Sequence, residues 1–154
     1  MWAKKGTRPT LPVCQRRDKV YLIGFVEPMT GAWVSYLLPA LNGDWYGAVL
    51  RLLAEHFTDE PIKLIIDQAG WHTNGDMPVP KNISLEFLPP HSPELNPTEQ
   101  IWEDVRYNYT RNQTFTDGDT LWDTLEQVMK VYSDNPERVK SITNQSWLHG
   151  KKQT

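Results

Sequence analysis

The 154-residue chain has one cysteine, Cys14, so it cannot close an internal disulfide. Its stability must come from a packed core, and the composition fits a reducing cytoplasm. It also lacks any apolar run near the ~20 residues of a membrane-spanning helix. Met1, Trp2 and Ala3 lead straight into Lys4 and Lys5, with no apolar stretch of the kind that marks a secretory signal. No membrane partner is expected. The four Asn-x-Ser/Thr triplets, beginning at Asn82, Asn108, Asn112 and Asn144, are then coincidental. His56, His72, His91 and His149 form no cluster with Cys14 at metal-ligand spacing, so a zinc site is not expected. Repeats and low-complexity segments are missing as well.

Positive charge is scarce overall, the net being −3, which argues against a free-standing nucleic-acid binder. The charge is unevenly spread. Lys4, Lys5, Arg8, Arg16, Arg17 and Lys19 against Asp18 give residues 1–19 a local +5, leaving −8 for the rest. A basic arm beside an acidic body suits a phosphate backbone approaching carboxylate-held metals, and the arm residues are candidate DNA contacts. A solvated N-terminus explains the same charges equally well.

What the chain does have is 12 prolines, 7 tryptophans and a clear succession of elements. After the arm (1–19), one domain is expected over 20–150, with a polar tail at 151–154. Val20 to Val26 and Ala32 to Leu38 read as a hairpin around the five-residue turn Glu27 to Gly31. A helix follows from about Asn42 to His56, with Trp45, Val49, Leu52, Leu53 and Phe57 at helical spacing. Ile62 to Asp67 is a mostly apolar strand, expected to be buried on both faces. Thr73 to Lys81 is a Gly/Pro loop, Ile83 to Leu88 an alternating strand. Helices are predicted from Pro97 to about Thr110 and from Thr120 to Ser133. The order β-β-α-β-β-α-α indicates an α/β domain, a mixed sheet flanked by helices, whose ligands gather at the carboxyl ends of strands. Asp67 stands at such an end.

Two carboxylates carry the chemistry. Asp67 ends the third strand; Glu99 opens the helix reached through the proline-rich segment from Leu88 to Trp102. Two acidic groups at one sheet edge are how proteins hold divalent ions for phosphate chemistry. Each has a structural alternative. Asp67 could start a turn over Gln68, Ala69 and Gly70. Asn96, Pro97 and Glu99 could form a capping box, with Glu99 reaching back to the Asn96 N–H.

The motifs tilt the balance. Leu64-Ile65-Ile66-Asp67-Gln68-Ala69-Gly70-Trp71-His72 resembles the LVLDNAxxH segment of mariner-type insertion-sequence transposases. Leu88-Pro89-Pro90-His91-Ser92-Pro93-Glu94-Leu95-Asn96-Pro97-Thr98-Glu99-Gln100-Ile101-Trp102 resembles their LPPYSPxLNPIExxW segment, a highly specific signal. Trp2 to Pro9 is similar to their WAPKGxRP stretch. The likeness runs in order from residue 2 to about 132. It implies a DDE-superfamily catalytic domain of RNase H-like fold, in which three carboxylates bind two Mg²⁺ or Mn²⁺ ions for cleavage and strand transfer of DNA, at transposon ends and target. Asp67 matches the second carboxylate and Glu99 the third; both would be catalytic and metal-binding. The first belongs on a strand upstream of Trp2. The chain is therefore expected to be an N-terminally truncated transposase fragment, without its first central strand, inactive alone, acting as a homodimer or with an upstream fragment that restores the strand. Loss of that strand would leave Val20–Val26 and Ile62–Asp67 without their shared neighbour. Asp18, Glu27, Asp44, Asp59 and Asp76 fit the first position poorly, and none is assigned.

His72, Asn96 and Glu103 are candidates to support the metal site from behind. For His72 an idle loop histidine is the simpler reading, and for Glu103 a solvated helix face. Trp45 and Trp102 fit the core, whereas Trp71 could stack on a base. Two rival functions stand beside the transposase: a catalytically dead interaction or dimerisation module, and a carboxylate-pair hydrolase such as a glycosidase.

Overall fold

A computed structural model describes residues 19–58, 60–67, 78–111, 113, 115 and 117–144. It is a mixed α/β architecture with four α-helices and two small sheets among the described residues. Strands β1 (Tyr21–Glu27) and β2 (Ala32–Leu38) pair antiparallel, from Tyr21↔Leu38 to Glu27↔Ala32. The pairing takes in Glu27, so the connection is four residues and not the five expected. The reason is local: the Glu27 carboxylate accepts the amide hydrogens of Met29 and Thr30, while Gly31 N–H donates to the Glu27 carbonyl at 2.8 Å. Gly31 sits at φ +79°, and a Cβ there would run into the Pro136 carbonyl oxygen, so the turn tolerates only glycine.

Helix α1 (Gly43–His56) starts where Asn42 Oδ1 accepts the Trp45 N–H at 3.0 Å. Its buried face is Tyr46, Val49, Leu50 and Leu53. Trp45, expected in the core, is 40% exposed, and Leu52 also faces outward. Val49 and Leu53 of the expected face are buried as read, while Tyr46 and Leu50 take the places expected for Trp45 and Leu52.

Strands β3 (Ile62–Ile66) and β4 (Ile83–Phe87) pair in parallel, from Ile62↔Ile83 to Ile66↔Phe87. A parallel pair cannot be joined by a tight hairpin turn, and 16 residues, 67–82, lie between Ile66 of β3 and Ile83 of β4 in the chain. The proline-rich segment contains a 3₁₀ turn (Pro93–Leu95) before α2 (Pro97–Val105), which runs on as a π-helical turn (Arg106–Thr110). Helices α3 (Gly118–Ser133) and α4 (Pro136–Thr143) complete the described chain. Helix α4 was not anticipated: at eight residues it buries too few apolar side chains to show a period. Its start nevertheless repeats the Asn-Pro device of α2, Asn135 Oδ1 accepting the Arg138 N–H at 3.2 Å.

The alternation of β1 and β2 divides the core. Leu22, Val26 and Trp33 join Ile101, Val105, Val128, Met129, Tyr132 and Val139 beneath α2, α3 and α4. Ile23, Phe25 and Val34 point the other way and pack with Tyr46, Leu50 and Leu53 of α1. Gly24 lies against Trp33 and Trp102, where a Cβ would collide with both rings. The β1–β2 hairpin is thus covered on both faces.

The second sheet is not. Ile62, Leu64, Ile83 and Leu85 pack on the α1 side, but Lys63 and Ile65 lie exposed on the opposite face. This corrects the expectation that β3 is buried on both sides; an exposed Lys63–Glu86 ion pair (2.9 Å) occupies that face instead. The two sheets remain separate two-stranded units that share the α1 cluster without sharing a strand.

Candidate functional site

Asp67 directly follows β3 and is exposed. The Leu88 N–H donates to the Ile66 carbonyl at 2.8 Å, so the exit of β4 is hydrogen-bonded beside the backbone that presents Asp67. Behind Asp67 lies Tyr46, buried in α1. Burial pushes the Tyr46 phenol well above its ordinary value, and the negative charge of Asp67 pushes it further. The phenol therefore stays protonated near the carboxylate across the physiological range. Sequence reasoning gave Tyr46 no role; its place in the helical period, one residue from the visible Trp45, concealed it.

Glu99 lies in the first turn of α2, exposed. The capping box does not form. Asn96 Oδ1 accepts the Thr98 N–H at 3.1 Å, but the Asn96 N–H is donated to the Pro93 carbonyl at 2.9 Å. The donor that Glu99 would have reached back to is already used. Its carboxylate is left pointing to solvent at the positive end of the helix, where a negative charge is favoured. Asn96 thus serves as a helix cap. Glu103, one turn further along α2, is exposed.

Among the described residues, no three His, Cys, Asp or Glu side chains converge to hold a metal ion. Asp67 and Glu99 are nonetheless the donor type that hard divalent cations take, oxygen ligands with no soft atom. Candidates His72, Lys4, Lys5, Arg8, Arg16 and Arg17 lie outside the described residues, as do Trp71 and most of the predicted 73–81 loop. Asp44 sits in the first turn of α1 and Glu27 in the hairpin turn. Burial alone would raise the Glu27 carboxyl, but hydrogen bonds from Thr30 and Met29, with the Lys140 charge, hold it below its usual value. His91 adopts φ +57°, which suits a backbone bend in the proline-rich loop.

A second polar centre escaped the sequence reading. Asp104 Oδ2 accepts both the Tyr132 hydroxyl (2.6 Å) and Arg138 Nη2 (2.7 Å). The Arg138 guanidinium also lies over the Tyr132 and Tyr109 rings, at 5.5 and 5.9 Å. It ties α2, α3 and α4 together. Its partners are 28 and 34 positions from Asp104, a separation no local pattern reveals.

No helix among the described residues is long and apolar enough to cross a membrane. Comparison with solved structures finds no match. An uncharacterized protein, y4pE/y4sA of Sinorhizobium fredii (strain NBRC 101917 / NGR234), is 35% identical over 130 residues, 84% of this chain and 96% of that protein. The family model described as DDE superfamily endonuclease matches residues 1–122, a span that takes in β3 with Asp67 and α2 with Glu99. The chain belongs to the DDE superfamily endonuclease family.

Proposed function

We propose that the chain is the catalytic region of a mariner-type insertion-sequence transposase, acting in metal-dependent DNA strand cleavage and strand transfer. The observation that carries this reading is the pair Asp67 and Glu99, at a strand's carboxyl end and in a helix's first turn, inside the matched region. The two carboxylates would hold Mg²⁺ or Mn²⁺, which supplies an activated oxygen nucleophile and offsets charge on the phosphate. Glu99 is prepared for this by the cap that leaves its carboxylate uncommitted. Asp67 is backed by the buried Tyr46 phenol, which stays neutral and so adds no competing charge.

The split sheet among the described residues is what an RNase H-like domain leaves when its central strand is not among them. Among the described residues β1 pairs only with β2 and β3 only with β4, while both pairs rest on α1. A strand between β1 and β3 would restore a continuous mixed sheet, and in this reading it brings the first carboxylate. The basic segment 1–19 would serve as an arm along the DNA, with 20–150 as the catalytic domain and 151–154 as a tail.

Nicking of supercoiled plasmid in Mg²⁺ or Mn²⁺ tests whether Asp67 and Glu99 suffice without a further carboxylate. Residues 1–154 alone are expected to leave the plasmid intact. Nicking that disappears in Asp67→Asn would show the chain already holds a full site. A second reading, an interaction module derived from a transposase, draws on the unpaired strand edges and on Ile65, 54% exposed. Such edges recruit other chains.

A further inference from the structure

The face of α2 that carries Glu99 does not end with it. Glu103 lies one turn on, and Arg106 and Tyr107 follow at the next. There the helix changes form. The Arg111 N–H donates to the Arg106 carbonyl at 2.8 Å, five residues back, closing a π-type turn. In a regular α-helix, residues five apart point about 140° away from each other. The wider turn brings Arg111 back toward the same side as Arg106. Such π-bulges are rare and occur often at functional sites.

Glu103, Arg106, Tyr107 and Arg111, with Gln100, Asp104 and Ile142 of α4, line a groove of about 740 Å³ that is open to solvent. Two features define what it takes. Arg106 and Arg111 are both among the lining residues. Tyr107 is 69% exposed, with the Arg111 guanidinium 5.4 Å from its ring centroid.

The acidic groups in the lining do not cancel this character. Asp104 is neutralised by Arg138 at 2.7 Å. Glu103 remains, on the side nearest Glu99. The groove is therefore graded, acidic toward Glu99 and basic away from it.

We propose that this groove binds single-stranded DNA, with Arg106 and Arg111 on successive phosphates and Tyr107 stacked on an unpaired base. The proposal rests on the DNA-directed reading above and names where the strand runs beyond Glu99. Stacking of bases on aromatic rings beside a basic track is how strands are held without a duplex.

The test uses the full chain and a fluorescein-labelled 15-nucleotide oligothymidylate, followed by fluorescence anisotropy in EDTA at low salt. EDTA removes any contribution from metal. Tyr107→Ala should weaken binding about tenfold or more, as expected for one lost stack, while Tyr107→Phe, which keeps the ring, stays within about threefold. Arg106→Ala with Arg111→Ala should lower the salt dependence by about 1.4 log units per log unit of salt, two phosphates' worth. Lys63→Ala, on the open face of β3, should change nothing, and circular dichroism verifies that each variant is folded. The proposal is overturned if wild type does not bind the oligonucleotide, if Tyr107→Ala binds like wild type, or if Tyr107→Phe loses as much as Tyr107→Ala. A chain that binds the strand through Tyr107 yet shows no Mn²⁺ binding at Asp67 and Glu99 would overturn the metal reading and leave the groove standing.

Discussion

At the scale of single residues, the fold depends on positions where one atom decides. Gly31 combines a left-handed backbone with contact against the Pro136 carbonyl. Gly31→Ala should cost at least ~1–2 kcal/mol from backbone strain alone, with more from the collision, and lower the urea midpoint accordingly. Asp104 holds two donors from two other helices. Tyr132→Phe removes one hydrogen bond to a charged acceptor, worth about 1.5–3 kcal/mol. Asp104→Ala strands both donors and should destabilise more than Tyr132→Phe; equal urea midpoints for the two would show that Arg138 contributes nothing through Asp104. Glu27 has a depressed carboxyl, so its contribution is present above the unfolded value near 4.5 and is lost as pH falls through the lower folded value. Stability of Glu27→Gln should accordingly fall less steeply than wild type's below pH 4.5, measured by urea unfolding at stepped pH. Gly31 and Glu27 were visible in the sequence as the two ends of a plain turn signal; the Asp104–Tyr132–Arg138 contacts were not.

Elements were more legible than their packing. Caps explain why. Asn96-Pro97 and Asn135-Pro136 are the same local instruction, an oxygen acceptor followed by a residue with no N–H to satisfy. It was read at α2, where Ile101, Trp102 and Val105 supply a period, and missed at α4, where the apolar signal is short. Asn96→Ala should cost about 0.5–2 kcal/mol by thermal melting, with any loss of metal binding exceeding what that destabilisation explains if the cap also positions Glu99. The Asp67 and Glu99 positions were legible because each ends or begins an element. Tyr46 was not, since nothing local shows that α1 turns this face toward the carboxyl end of β3. The groove beyond Glu99 was hidden too, because it depends on a π turn, and residues 106–110 carry no pattern distinguishing that turn from ordinary helix.

For the whole molecule, the separation into two sheets over one helix is the dominant fact. The hairpin is sandwiched between α1 and the α2–α3–α4 layer, whereas β3–β4 has a single apolar face covered. Stability should therefore be uneven, with β3–β4 exchanging amide hydrogens faster than β1–β2. The strand edges that stay unpaired among the described residues also predict concentration-dependent self-association, visible by light scattering. Composition and periodicity alone showed only strands, not which pairs would form. The central claim is that Asp67 and Glu99 are a divalent-metal pair, and calorimetric titration with Mn²⁺ tests it most directly. Wild type should bind Mn²⁺, with the binding heat lost in both Asp67→Asn and Glu99→Gln and kept in Glu103→Gln. Heats identical in wild type and both variants would contradict the account.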